Sequence, residues 1–423
     1  MAPSRTASEH ENSSRHSSSP RLAGLDAVRA IAAALVVMLH AAHAYIPYQM
    51  PGLAWPAHDS QPSEIVDAVF WWIEGFIMPL FLFLSGYFAL GLFEKLGLRG
   101  FLKHRVQRIV YPLVFGCVFI LPLDFYAWGV GFALDGRASW RKLRSLKYDP
   151  PISDELWGLS HLWYLQYMIL YCAVFAVGAA LVKRYVPSKD AVSISLETAR
   201  PANAFRMPMS LASWLIVLWA LGSIVLVFAP EVVIGFQHSF FPVAAKFVYS
   251  GLFFAGGVIV AIHGMTHLRR NAVLCLGASA ACAAFMVVWT RIWFTRGHTV
   301  SEQLGYAAIT CGFAWSSLLG ICGMAMHRTT RLPAAIRYVA EASFWIYLLH
   351  HPIVGFTQAL LGLTKLPAGV KFVLATGITL TICLATYAWF VRKTWIGALL
   401  NGRRDRQPAS RTQQPAAEQS RAA

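Results

Sequence analysis

Arg29 and His40 stand eleven residues apart in GLDAVRAIAAALVVMLHAAHAYIP (Gly24 to Pro47), a run apolar enough to cross a bilayer. An ionisable group at membrane depth is costly, so each is a candidate functional residue. Eleven helical steps of ~100° return His40 to within roughly 20° of Arg29 and about 16 Å further along the axis. The two share one face at opposite depths. Asp26, one turn before Arg29, is placed to pair with the guanidinium. An arginine fork suits phosphate groups, and an imidazole near its unperturbed pKa suits removal of a hydroxyl proton. Taken singly, each also has a plain structural role: Arg29 snorkelling to the headgroups, His40 packing with a satisfied hydrogen bond. The shared face favours a polar path through a helix bundle.

Other stretches carry partners at both depths. DAVFWWIEGFIMPLFLFLSGYFALGLF, from Asp67, puts Glu74 near mid-membrane, breaks at Pro79 and brings Ser85, Gly86 and Tyr87 toward the inner face. HLWYLQYMILY offers His161, Trp163, Tyr164, Gln166 and Tyr167 at the outer face, where an aromatic belt is the plain reading of the Trp and Tyr residues. EASFWIYLLHHPIVGF starts inside with Glu341 and Ser343 and carries His350 and His351 into the outer half. Adjacent helical residues face different neighbours, so at most one of the two histidines is expected in the site. His40, His350 and His161 thus gather at the outer end; Arg29, Arg105 and Arg108 gather at the inner end.

The elements that must position these residues are membrane helices. Over 423 residues, 57% are hydrophobic and 13% charged, which excludes an ordinary soluble globular chain. An all-α, polytopic integral membrane protein is expected. About ten apolar segments approach the ~20 residues a hydrocarbon core requires: 25–46, 65–93, 109–133, 161–182, 211–229, 243–262, 272–294, 304–326, 340–361 and 369–391. With both termini cytoplasmic, inner segments hold 25 of the 36 Lys and Arg residues, as the positive-inside rule asks. One outer loop, 135–160, runs against the rule with Arg137, Arg141, Lys142, Arg144 and Lys147; an amphipathic surface stretch or a shift of one crossing would each account for it. Residues 1–20 and 396–423 read as disordered polar tails flanking one transmembrane domain, 21–395.

The net charge of +16 is spread over loops and tails, which fits topology and anionic lipid better than nucleic acid. All seven cysteines fall in apolar segments without CxxC spacing, and the fourteen histidines form no HExxH, so no metal site is expected. No GxGxxG, Walker or GxSxG motif is present. A phosphate-bearing acyl donor such as acyl-CoA, used as a substrate rather than a resident cofactor, is the simplest molecule that fits arginines at one end and imidazoles at the other. The same constellation could serve a transporter's proton relay, and a structural partner in a synthesis complex explains the buried charges worst.

LDAVRAIAAALVVMLH, MPLFLFLSGYFAL, FLKHRVQRIVYP and SFWIYLLHHPI, in this order, resemble the membrane acyltransferase-3 family over residues 21 to 395. The resemblance implies that Arg29 and His40 form the family's first-helix signature, and that Arg105 and Arg108 in RVQR are its paired arginines for acyl-CoA at the cytoplasmic face. It implies acyl transfer to a hydroxyl on the far side of the cell's inner membrane. WPAHDSQPSEIVD, GLRGFLKHR and HLWYLQYMILY are similar to the glucan biosynthesis protein C branch, which implies a glucan acceptor; the sequence alone does not select succinyl over acetyl.

Overall fold

The structure is a computed structural model that describes residues 20–52, 54–185, 208–328 and 332–397. The expected polar tails lie outside the described residues except at their inner edges. Helices form throughout, and the described residues contain no strand. Eight stretches are long and apolar enough to cross a membrane. The chain is an all-α polytopic membrane protein.

Helix α1 (Pro20–Ala42) carries Arg29 and His40 and continues through a 3-10 turn, His43–Tyr45. Helix α2 (Glu64–Arg105) starts at Ser63, whose hydroxyl accepts from the Val66 N–H. Two π turns, Val106–Val110 and Gly116–Ile120, alternate with α3 (Tyr111–Phe115) and α4 (Leu121–Leu134). Each π turn adjoins a helix opened by a proline, Pro112 or Pro122, where the hydrogen-bond ladder must be reset.

The whole run Glu64–Leu134 is 71 residues. As a straight helix it would reach about 106 Å, far beyond a ~30 Å hydrocarbon core. It folds back at Gly97, whose φ of 65° and ψ of −179° suit only a residue without Cβ. The rings of Phe93 and Phe101 then meet with centroids 5.8 Å apart, although a straight helix would separate them by about 12 Å along its axis.

Helices α5 (Trp140–Ser145) and α6 (Ile152–Leu156) belong to the basic loop, and a 3-10 turn, Ser160–Leu162, leads into α7 (Trp163–Tyr185). There follow α8 (Leu211–Phe228), the single turn α9 (Glu231–Ile234), α10 (Ala244–His263), α11 (Thr266–Thr295), α12 (Val300–Arg328), α13 (Ala334–Gly362) and α14 (Ala368–Thr386). Helix α1 packs among α2, α12, α13 and α14, so its polar face looks into the bundle. Helices α2 and α10 cross where glycines remove side chains from both. A Cβ on Gly86 would lie 2.0 Å from the Phe254 carbonyl oxygen, and one on Gly257 would lie 2.0 Å from that of Phe83. Close backbone approach of this kind drives helix association where lipid removes the hydrophobic incentive.

The loops at the His40 end are tied down. Lys371 and Asp59 form a buried ion pair at 2.7 Å, which fixes the 46–63 connection to α14. His238 Nε2–H donates to the carbonyls of Gly52 and Glu155, at 3.0 and 3.1 Å, so three connections meet at one ring. Burial holds the His238 pKa below the ordinary histidine value, in keeping with that neutral donor. The basic loop 135–160 sits on this end too, with Arg137 Nη2 donating to the Trp55 carbonyl.

Candidate active site

One cavity of about 1300 Å³ runs through the bundle, and all ten candidate residues lie on its walls: Asp26, Arg29, His40, Glu74, Ser85, Arg105, Arg108, His161, Ser343 and His350. They come from α1, α2, the π turn after it, the 3-10 turn before α7, and α13.

At the arginine end, Arg29 Nη1 lies 3.3 Å from Asp26 Oδ1, and Nη2 donates to Ser343 Oγ at 3.4 Å. Both members of the Arg29–Asp26 pair keep over two-fifths of their side chains exposed, so the guanidinium is oriented without being consumed. The Arg105 guanidinium lies over the Phe101 ring at 5.1 Å. Arg337 and Glu341 of α13 line the same end.

Midway, Ser85 Oγ and the Tyr164 hydroxyl are 2.9 Å apart. Glu74 faces the cavity together with Lys246, which the sequence reading missed. Lys246 stands in the first turn of α10 and reads as an interfacial lysine, yet it is buried. Its Nζ donates to the Gln237 carbonyl at 2.6 Å and sits 3.5 Å from the Trp163 ring centroid. The buried Lys246 and the half-buried Glu74 on one cavity carry opposite charges that offset part of each other's desolvation.

At the other end four imidazoles assemble. The His40 ring lies 5.1 Å from His350 and 4.8 Å from His351, and His161 lies 5.2 and 4.7 Å from the same two. His350 faces the cavity. His351 stands behind it, stacked on Trp128 at 4.5 Å. Both histidines of the pair therefore reach His40 while only His350 is on the cavity wall.

Their partners fix the protons. A carbonyl can only accept, so His161 Nε2–H donates to the Leu348 oxygen at 3.1 Å. That carbonyl is available because Pro352, four residues on, has no N–H to give it. His350 Nδ1–H is shared by the Ile346 and Tyr347 carbonyls at 3.0 and 2.9 Å. His351 Nδ1–H donates to Asp124 Oδ1 at 2.7 Å, and Ser160 Oγ–H donates to Asp124 Oδ2 at 2.6 Å. Ser160 holds a left-handed φ of 49° to do so, a conformation kept only where its surroundings impose it. The remaining nitrogens, His161 Nδ1, His350 Nε2 and His351 Nε2, are buried without a hydrogen-bond partner.

Asp124 was also missed, although an acid within LPLDFYAWGV is the kind of intramembrane charge that signals function. Asp124, His161 and His351 bring ligand-type atoms within 4.8 Å of one another, a set unmarked by any sequence motif. Two imidazoles and a carboxylate can hold zinc. Here the His161 and His351 rings are stacked at 23°, so their in-plane lone pairs run side by side, and both Asp124 oxygens already accept hydrogen bonds. Hydrogen bonds run from Ser160 and His351 to the Asp124 carboxylate, and ring contact alone carries the arrangement on from His351 to His40.

An acyltransferase domain family model matches residues 22–388. The glucans biosynthesis protein C of Salmonella schwarzengrund (strain CVM19633) is 24% identical over 347 residues, covering 80% of this chain and 84% of that protein. That of Salmonella gallinarum (strain 287/91 / NCTC 13346) is 23% identical over 346 residues, with the same coverage. No solved structure matches significantly. With most of its length matched by that model, the chain belongs to the acyltransferase-3 family and is a membrane acyltransferase.

Proposed function

We propose that the protein transfers an acyl group, succinyl or acetyl, from cytoplasmic acyl-CoA to a hydroxyl of an extracytoplasmic glucan or related carbohydrate. The protein is taken to cross the cell's inner membrane ten times, with both termini inside. The single cavity joining the arginine end to the imidazole end supports this reading most directly, and the glucan-related name of the relatives supports the acceptor class.

Arg105 and Arg108 hold the CoA phosphates through charge-assisted hydrogen bonds, and Arg29, oriented by Asp26 and Ser343, places the donor or offsets developing charge. His40 takes the proton of the acceptor hydroxyl as its oxygen attacks the thioester carbonyl. The ester C–O bond forms, the C–S bond breaks, and the thiolate leaves as CoA once the proton is passed to it. Asp124 acts through His351 to orient His40 and to stabilise the charge it gains. The remaining candidates, Glu74, Ser85, His161 and His350, shape the passage between the two ends.

Sealed vesicles test this reading. With labelled acyl-CoA supplied on the Arg105 side and a gluco-oligosaccharide on the other, the saccharide should gain label across the membrane. Labelling only when both are on one side would overturn it.

A further inference from the structure

A second cavity of about 520 Å³ opens beside the first at the His40 end. The two share Met50 and Trp55. Trp55 is a fixed wall between them. Its indole N–H donates to Gln358 Oε1 at 2.9 Å, its carbonyl accepts from Arg137 at 2.5 Å, and its ring lies parallel to that of His40 at 6.0 Å. The proposed chemistry leaves this second space unused.

Its walls come from the 46–63 connection and from the basic loop whose charge runs against the topology rule. Gln49, His58, Arg137, Lys142, Asp149 and Glu155 supply polar groups, beside the rings of Trp55 and Tyr148. Charge decides what such a space can take. Arg137 and Lys142 are matched by Asp149 and Glu155 on the cavity walls. Arg137 is also paired with Asp135 at 2.6 Å, and Lys142 with Asp149. At the far end of the first cavity, by contrast, Arg29, Arg105, Arg108 and Arg337 outnumber Asp26 and Glu341. A cationic surplus suits a phosphate-bearing donor. A balanced set of donors and acceptors beside aromatic rings suits a neutral ligand rich in hydroxyls. The volume falls within the usual range for small-molecule sites.

The two cavities meet at Met50 and Trp55, so a saccharide with one hydroxyl at His40 has the second space within reach of its neighbouring ring. We propose that this second cavity is an acceptor subsite that binds the neutral sugar ring adjacent to the one being acylated, an assignment resting on the carbohydrate acceptor proposed above. The basic loop then lies at the His40 end as a paired, ligand-facing wall.

The test compares methyl glucoside, which fills only the His40 side, with a gluco-trisaccharide, using full-length protein in lipid and a double variant, Lys142→Gln with Glu155→Gln. Calorimetric Kd and the acceptor KM are read for both ligands. The wild type should prefer the trisaccharide, and the double variant should lose about tenfold of that preference. Methyl glucoside binding and the KM for acyl-CoA should not move, which also reports that the variant is folded. A trisaccharide preference that survives the double variant, or an equal loss for both ligands, would overturn the subsite. A trisaccharide bound in this way but never acylated would contradict the proposed reaction and support the subsite. Acyl transfer with no preference for the longer ligand would do the opposite.

Discussion

Asp124 Oδ1 accepts from His351 Nδ1 at 2.7 Å, joining two buried side chains 227 positions apart, and the His351 ring meets His40 edge-on at 4.8 Å. A carboxylate there keeps the proton on His351 Nδ1 and, in the proposed reaction, balances charge as His40 becomes protonated. Asp124→Asn keeps the shape and removes the charge. It should lower kcat by about 10²-fold, the lower end for loss of general-base assistance, with KM for acyl-CoA unchanged in steady-state kinetics. His351→Gln should do the same, and the double variant should cost little more than either alone. Additive losses would show that the two act independently.

The two ends of the cavity should fail differently. Arg105→Ala and Arg108→Ala each remove charge-assisted hydrogen bonds worth roughly 1.5 to 3 kcal/mol, which should raise the KM for acyl-CoA about ten- to a hundredfold. Excess donor should restore much of the rate. His40→Gln should instead lower kcat by about 10² to 10⁴ at any donor concentration. Unchanged CoA binding in the double arginine variant, together with its loss in His40→Gln, would place the donor at the wrong end.

Topology is open to labelling. Ser60 and Arg99 are both exposed and lie at opposite ends of α2. A cysteine replacing Ser60 should react with an impermeant thiol reagent added outside intact cells, and one replacing Arg99 should react only after permeabilisation. The reverse pattern would invert the assignment of both termini to the cytoplasm.

The glycine crossing of α2 and α10 carries a stability prediction. Gly257→Ala places a methyl 2.0 Å from the Phe83 carbonyl oxygen and 2.7 Å from the Tyr87 nitrogen, both backbone atoms that cannot swing aside. Overpacking of this kind costs about 1 to 3 kcal/mol, read as a lower midpoint in detergent thermal unfolding. Gly178→Ala, inside α7 where the added methyl meets nothing within 4 Å, is the control and should hold or slightly raise the midpoint, since alanine is the better helix former.

The gathering of the candidate residues on one cavity was legible because helix periodicity is local. The eleven-residue spacing of Arg29 and His40 fixes their shared face from the sequence alone, and Ser343 and His350 follow by the same arithmetic along α13. Asp124 is visible in the sequence as an intramembrane acid, but its partners His351 and Ser160 are not, since only the fold brings them to it. Lys246 carries no motif in the sequence, and its burial depends on Trp163 and Gln237, which only the fold brings to it. In the basic loop, which runs against the positive-inside rule, the pairing of Arg137 with Asp135 and of Lys142 with Asp149 is likewise invisible in a count of Lys and Arg. Helix α13 falls outside the eight stretches picked by length and apolarity, since its polar residues, the candidates Ser343 and His350 among them, dilute its hydropathy.

Where His40, His350 and His351 meet, the proposed event is covalent chemistry and not passage of a solute. Purified protein in lipid, given isotopically labelled acyl-CoA and a gluco-oligosaccharide, should release free CoA in step with a saccharide mass gain equal to one labelled acyl ester, and His40→Gln should abolish both together. Saccharide recovered at unchanged mass, or ester formation that persists in His40→Gln, would contradict it.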